Sequence, residues 1–267
     1  MRDVLAVTVA SNAREAADVR ELLAPSWGAA AEGTDSELVA VDNRSGADVS
    51  DLGVRVLSAP KRGGLSANLN LALAGEGDFR WFLVVNPDMR LAPGNLRAMV
   101  DFMATHPACG LAACRLVSLG GEKLQRNCRR WQTLDIVLAR RVPFWPGRAR
   151  TIRRYLMLDE AYDREARPDW VSGCYMLLDR ALLENLGGFD AGFRLYFEDC
   201  DIARRVQDAG REVLFTPAAT AEHREHRASL SPLSWSGRVH LASWLRFTWK
   251  RLFVYGRARR DSPATGA

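Results

Sequence analysis

Short apolar runs alternate with helix-forming segments through residues 1–115, and this rhythm limits what the chain can become more than any other feature. Val4-Leu5-Ala6-Val7-Thr8-Val9-Ala10 has the length and character of a buried strand. Glu37-Leu38-Val39-Ala40-Val41, Val54-Arg55-Val56-Leu57, Trp81-Phe82-Leu83-Val84-Val85 and Gly110-Leu111-Ala112-Ala113 follow. Segments at 13–23, 65–74 and 93–104 carry the helical period between them. Such alternation predicts an α/β fold, a mainly parallel central sheet flanked by helices. Ligands on such sheets bind beyond the carboxyl ends of the strands.

Two carboxylates stand at those ends. Asp42 opens Asp42-Asn43-Arg44-Ser45-Gly46, which has turn chemistry. Asp88 closes Asn86-Pro87-Asp88, where Pro87 withholds an N–H and turns the chain just past a buried strand. Both can project into one crevice, and hard divalent cations take one or two carboxylates together with substrate phosphates. Between them, Lys61-Arg62-Gly63-Gly64 leads into a helix that carries Asn70. Backbone N–H groups at such an entry can approach phosphate. The stretch matches neither the P-loop nor the dinucleotide fingerprint.

Further along, Gly187-Gly188-Phe189-Asp190 precedes Tyr196-Phe197-Glu198-Asp199-Cys200-Asp201, with three carboxylates in four residues. Ile202, Val206 and Ala209 recur at helical spacing and Gly210 is a stop signal, so Glu198 and Asp199 fall at the first turn. Carboxylates there are favoured by unpaired N–H groups and the positive end of the helix dipole, which is one way to mount a general base. Capping is the plainer reading of the same residues. Asp201 faces Arg204 and Arg205 at i+3 and i+4, a structural pairing.

The apolar share of 48% in 267 residues supports a full core. Nothing at the N-terminus resembles a signal peptide, so the chain is expected to stay in the cytoplasm. Five cysteines lack C-x-x-C spacing and read as reduced. The net charge of +5 is uneven: basic residues dominate 115–154, and no acidic residue occurs from 226 to 260. Such segments want an anionic partner. Nucleic acid is not the expected one, since no nucleic-acid-binding module is recognisable.

In order along residues 4–229, these pieces resemble the glycosyltransferase family 2 enzymes, in the bacterial rhamnosyltransferase-like branch. Val41-Asp42-Asn43-Arg44-Ser45 looks like an element whose Asp contacts the nucleotide base, and Ala10-Ser11 ends the first strand beside it. Arg62-Gly63-Gly64 with Asn70 resembles an element lining the nucleotide pocket, although Arg62 stands where the family has Asn. Val85-Asn86-Pro87-Asp88 resembles the branch's metal motif, with Asn86 in place of the first Asp. Asp169-Trp170-Val171-Ser172-Gly173 is similar to the segment beside the acceptor, and the acidic cluster resembles the signature that carries the catalytic base.

The resemblance implies a GT-A-type fold over 1–230, with a nucleotide-sugar-binding half (1–115) and an acceptor-binding and catalytic half (116–230). It implies inverting transfer of rhamnose or another hexose from a nucleotide sugar such as dTDP-rhamnose to a glycan or lipid-linked hydroxyl, assisted by Mg2+ or Mn2+. Asp199 would be the base, with Glu198 its neighbour and an acceptor contact beside Trp170 and Gly173. Asp88 and His223 would hold the metal, with His226 a weaker competitor. A nucleotidyltransferase should carry a basic, glycine-rich loop after the first strand, and residues 8–13 have none. A non-catalytic scaffold would have been favoured by a broken acidic motif, which here is intact.

Acceptor recognition is expected between 115 and 170, around Arg126, Arg129 and Arg130 and the loop Val142-Pro143-Phe144-Trp145-Pro146. Residues 231–256 mix tryptophans with arginines. They read equally as an amphipathic helix on an anionic membrane face or as a helix docked on the core. Residues 257–267 read as a disordered tail.

Overall fold

The structure is a computed structural model that describes residues 1–255 apart from 76, 143 and 225–233. His226 and the 257–267 tail lie outside the described residues. β1 (Arg2–Ala10) leads to α1 (Ala13–Asp18), whose Asn12 cap accepts the Glu15 N–H at 3.0 Å. A π-helical stretch (Val19–Leu23) joins α1 to α2 (Ala24–Ala30), so the helix predicted to stop at 23 runs on. Pro25 cannot donate an N–H, and the helix passes it by widening the preceding turn.

β2 (Ser36–Asp42), β3 (Arg55–Ser58), α3 (Leu65–Leu73), β4 (Phe79–Val85), β5 (Met89–Leu91), α4 (Asn95–Thr105) and β6 (Cys109–Ser118) come next. The chain then makes an excursion through β7 (Leu124–Gln125), β8 (Cys128–Arg129), α5 (Leu134–Arg141), α6 (Arg148–Tyr155) and β9 (Trp170–Val171). It returns as β10 (Tyr175–Asp179), α7 (Arg180–Asn185), α8 (Glu198–Asp208), β11 (Glu212–His223) and α9 (Trp235–Phe253).

The main sheet runs β3-β2-β1-β4-β10-β6-β11-β5, with β7 on β6. Strands β1 to β4 are parallel, as the alternation predicts. β10 is antiparallel between β4 and β6, because the excursion brings the chain back to the carboxyl edge, from which it must run the other way. That reversal matters for the site: Tyr175 pairs with Val85, so residues 172–174 meet the end of β4. β11 runs antiparallel to β5, which sets His223 opposite Met89, next to Asp88.

Side chains of β1 alternate between two cores. Leu5, Val7 and Val9 pack with Leu69 of α3 and Ile202 and Val206 of α8, while Val4 and Ala6 pack with Leu96, Met99 and Phe102 of α4. Each buried Val, Leu, Ile, Met or Phe among these contributes about 1.5–3 kcal/mol. All five cysteines are buried thiols without disulfide partners.

α9 docks on the core. Phe247 is buried with Phe193, Phe197 and Cys200, Ser243 donates to Leu195 O at 2.8 Å, and Lys250 bonds both Asp190 (2.7 Å) and Asp201. Its opposite face leaves Trp235, Leu241, Leu245 and Trp249 more than half exposed.

Candidate active site at the carboxyl edge of the sheet

β1 and β2 end together, with Ala10 paired to Asp42. The next residue, Asn43, is buried and works as a staple. Its N–H donates to Ala10 O, its Nδ2 to Ser11 Oγ (3.0 Å) and Gly63 O (3.1 Å), and its Oδ1 accepts the Gly63 N–H (2.8 Å). Asp42 stays half-buried at the edge, where its Oδ1 accepts the Ser45 N–H at 2.9 Å. Arg62, the departure from the family's Asn, reaches across to Ser11 O at 2.8 Å.

Gly64 is required by a close backbone crossing. A Cβ there would stand 2.5 Å from Arg194 Cα, and the Leu65 N–H donates to Arg194 O. Asn70 clamps the same loop from the other side: its Nδ2 donates to Phe189 O (2.7 Å) and its Oδ1 accepts the Phe189 N–H (2.8 Å). Gly188, at φ +71°, leaves room for that amide, since a Cβ would stand 2.5 Å from Asn70 Oδ1. The glycine pair and Asn70 therefore join the loop at 61–64 to the one at 187–197.

At the end of β4, Asn86 N–H donates to Cys174 O at 2.9 Å, Pro87 is buried, and Asp88 is 8% exposed. His223 Nε2 lies 3.4 Å from Asp88 Oδ2. Gln125 fixes the ring, because its Nε2 donates to His223 O (2.9 Å) and its Oε1 therefore faces Nδ1 (2.8 Å). A proton on Nδ1 satisfies that contact and leaves the Nε2 lone pair aimed at a carboxylate oxygen. Two acceptors face to face are stable only with a cation or proton between them, so this pair fits a divalent ion. Among the described residues no group of three or more His, Cys, Asp or Glu could hold a metal. An ion here would complete its shell with phosphate oxygens and water. Arg224 anchors the strand end by donating to buried Asp18 at 2.6 Å.

The segment 172–174 links this corner to the acidic helix. Gly173 N–H donates to Asp199 Oδ2 at 3.1 Å, while Asp199 Oδ1 accepts the Cys200 N–H at 2.8 Å. Burial, then the charges of Asp88 and Asp199, push the Cys174 thiol up to about 11, against a hydrogen bond with Ser172. Both carboxylates thus act on one sulfur. Glu198 is 6% exposed and its Oε2 has no hydrogen-bond partner among the described residues. Burial first, then the charge of Asp199, hold Glu198 well above the usual carboxylate range. Burial also raises Asp199, opposed by the N–H groups of Cys200 and Gly173. Both carboxyls are thereby disposed to exchange protons nearer neutrality, as a base requires.

Tyr196 and Phe197, just before α8, both have φ of 68°, a left-handed pair that glycine would normally supply. Asp201 is fully buried and bonds Arg205 Nε (2.7 Å), Tyr255 (2.5 Å) and Lys250. The structural pairing expected for it holds with Arg205, while Arg204 turns to Asp208. Trp170 donates its indole N–H to Arg130 O at 3.0 Å, beside Gly173. Gln125 and Arg224 carried no sequence signal, being ordinary polar residues until β7 and β11 bring them to the site.

The family model described as Glycosyltransferase like family 2 matches residues 4–240. N-acetylglucosaminyl-diphospho-decaprenol L-rhamnosyltransferase of Mycobacterium tuberculosis is 28% identical over 197 residues, 68% of this chain and 62% of its own length. Rhamnosyltransferase WbbL of Escherichia coli is 24% identical over 200 residues, 73% of each chain. The crystal structure of GalNAc-T7 with UDP, GalNAc and Mn2+ aligns with 94% of this chain and 50% of its own, with a TM-score of 0.61 at 13% identity. That likeness is one of fold, and the fold is the GT-A type that the motifs imply.

Proposed function

Because the chain belongs to the glycosyltransferase-like family 2, we propose that it transfers a sugar, rhamnose or a related hexose, with inversion, from a nucleotide-diphosphate donor to a hydroxyl of a glycan or lipid-linked acceptor. One observation carries this reading: residues 173 and 174 donate to Asp199 and accept from Asn86, so a candidate base and the metal corner share one rigid peptide segment.

Asp42 contacts the nucleotide base, and the loops that Asn43 staples, with Ala10, Ser11 and Gly64, wall the nucleotide. Asn70 acts by holding the 187–197 loop against them. Asn86 and Pro87 present Asp88. Asp88 and His223 would hold Mg2+ or Mn2+, which would supply counter-charge to the departing diphosphate. The acceptor lies along Trp170 and Gly173, with Glu198 at its hydroxyl. Asp199 takes the hydroxyl proton as the oxygen attacks the anomeric carbon from the face opposite the leaving group. The rhamnosyl transfer in the names of two relatives supports rhamnose as the sugar, with dTDP the carrier that the family resemblance implies. The UDP and Mn2+ in the fold neighbour support a nucleotide and a cation.

No helix among the described residues is long and apolar enough to cross a membrane. The exposed tryptophans and leucines of α9, interleaved with Arg238 and Arg246, support peripheral contact with the inner face of the cytoplasmic membrane.

Release of nucleoside diphosphate from dTDP-, UDP- and GDP-sugars, with magnesium or manganese and lipid-linked acceptors, tests the reading. Turnover of dTDP-rhamnose is expected. Failure of every nucleotide sugar to bind or react would contradict it.

A further inference from the structure

α8 is capped by Phe197, a residue with no side-chain acceptor for the first helical N–H groups. Phe197 and Tyr196 before it both hold φ of 68°. A left-handed pair of aromatic residues is an unfavourable way into a helix, and it persists only where the surroundings fix it. Glu198 and Asp199 are the next two residues, so whatever fixes this entry also sets where their carboxyls stand.

The inner face of α9 supplies those surroundings. His240, Ser243, Phe247 and Lys250 recur at three- and four-residue spacing, so they share one side of the helix. The His240 ring lies 5.2 Å from that of Tyr196 and 5.3 Å from that of Phe197, and the Phe247 ring lies 5.6 Å from Phe197. Ser243 Oγ holds Leu195 O at 2.8 Å. Lys250 is buried, and its Nζ donates both to Asp190, ahead of the loop, and to Asp201, in the first turn of α8. One ammonium therefore ties the two ends of the stretch 190–201 together. Tyr255 donates to the same Asp201 oxygen at 2.5 Å, and Arg205 bonds the other at 2.7 Å. Taking these charges out of water is repaid only when the geometry is well met, so the bridge holds its partners in one arrangement.

We propose that Lys250 is a positioning residue for sugar transfer. By bridging Asp190 and Asp201 it holds α9 against the 190–197 loop and the start of α8, and so sets Asp199 at the acceptor hydroxyl. This rests on the transferase reading above, with Asp199 as base, and makes the C-terminal helix part of the catalytic apparatus. Lys250 acts through the two aspartates and not on the reacting atoms. The donor side is anchored separately: Asn70 holds both backbone groups of Phe189, and Arg246 bonds Asp190 at 2.8 Å. Loss of Lys250 should therefore displace the base while the nucleotide wall stays in place.

The test compares Lys250→Met, Lys250→Arg and Tyr255→Phe with wild type in the whole chain. Calorimetric titration with dTDP counts the donor sites, and transfer from dTDP-rhamnose to a lipid-linked acceptor is expressed per site. Lys250→Met is expected to keep dTDP affinity and donor KM and to lose kcat per site by about tenfold or more, the scale of a small misplacement of a catalytic group. Lys250→Arg, which can still bridge two carboxylates, should recover most of that loss. A helix that only stabilised the fold would give fewer donor sites in Lys250→Met, each transferring at the wild-type rate, and that result would overturn the inference. If Lys250→Met does not fold, Tyr255→Phe decides, since it removes one donor to Asp201 and leaves the pairs with Lys250 and Arg205 in place. A severalfold fall in kcat per site is expected there, and an unchanged value would overturn the inference. Active wild type with equally active variants refutes the inference alone. If wild type transfers from no nucleotide sugar, the transferase reading falls and the inference falls with it.

Discussion

Glu198 and Asp199 enter the first turn of α8 with their carboxyls largely out of water, which raises both, and the charge of Asp199 further opposes ionisation of Glu198. A base must be unprotonated to work, so transfer should rise with pH through a value above the ordinary carboxylate range. Glu198 is held the higher of the two and is still protonated where Asp199 ionises, so Glu198→Gln removes no charge there. The acid limb of the kcat profile, set by Asp199, should then stay in place while transfer persists. Loss of transfer in that variant, with donor binding intact, would instead make Glu198 the base. The acidic residues were plain in the sequence, yet the division between them was not. It depends on Gly173 donating to one and on none of the described residues donating to Glu198 Oε2, contacts made across 26 residues or left unmade. The paired left-handed Tyr196 and Phe197 were equally hidden, since neither residue type announces a positive φ.

At the level of elements, Asp190 links the Gly-Gly-Phe-Asp loop to α9. Burial raises its pKa, but Lys250, the Gly192 N–H and Arg246 outweigh that and hold it down at about 2. The folded value is below the unfolded one of about 3.9, so the stabilisation is present above pH 4 and lost as pH falls through about 2. Thermal melting across that window should show a loss of roughly 2 kcal/mol in wild type, absent from Asp190→Asn. A variant that follows wild type through the window would contradict the clamp. The helical nature of 235–253 was legible from its sequence, but its docking was not. Aromatic residues line both faces, and the deciding partners of Lys250 lie 49 and 60 residues away.

For the molecule as a whole, strand and helix alternation foretold the parallel block β3-β2-β1-β4 and where its carboxyl edge would lie. It did not foretell antiparallel β10 or the return of β11 beside β5, because these pairings join distant segments and leave no local period. Both reversals build the site, one bringing Cys174 to Asn86 and the other His223 to Asp88. With α9's apolar ridge facing outward, the chain should sediment with vesicles of anionic lipid, and less so at high salt or in Trp249→Ser. Absence of vesicle binding at low salt would contradict that contact. The central claim is that Asp199, held by Gly173, is the base for sugar transfer from a nucleotide donor. Transfer to acceptor in Asp199→Asn, measured with donor binding verified, is its most direct test. The account predicts a fall of about 10²–10⁴-fold with nucleotide affinity retained; an Asp199→Asn enzyme that transfers at the wild-type rate would contradict it.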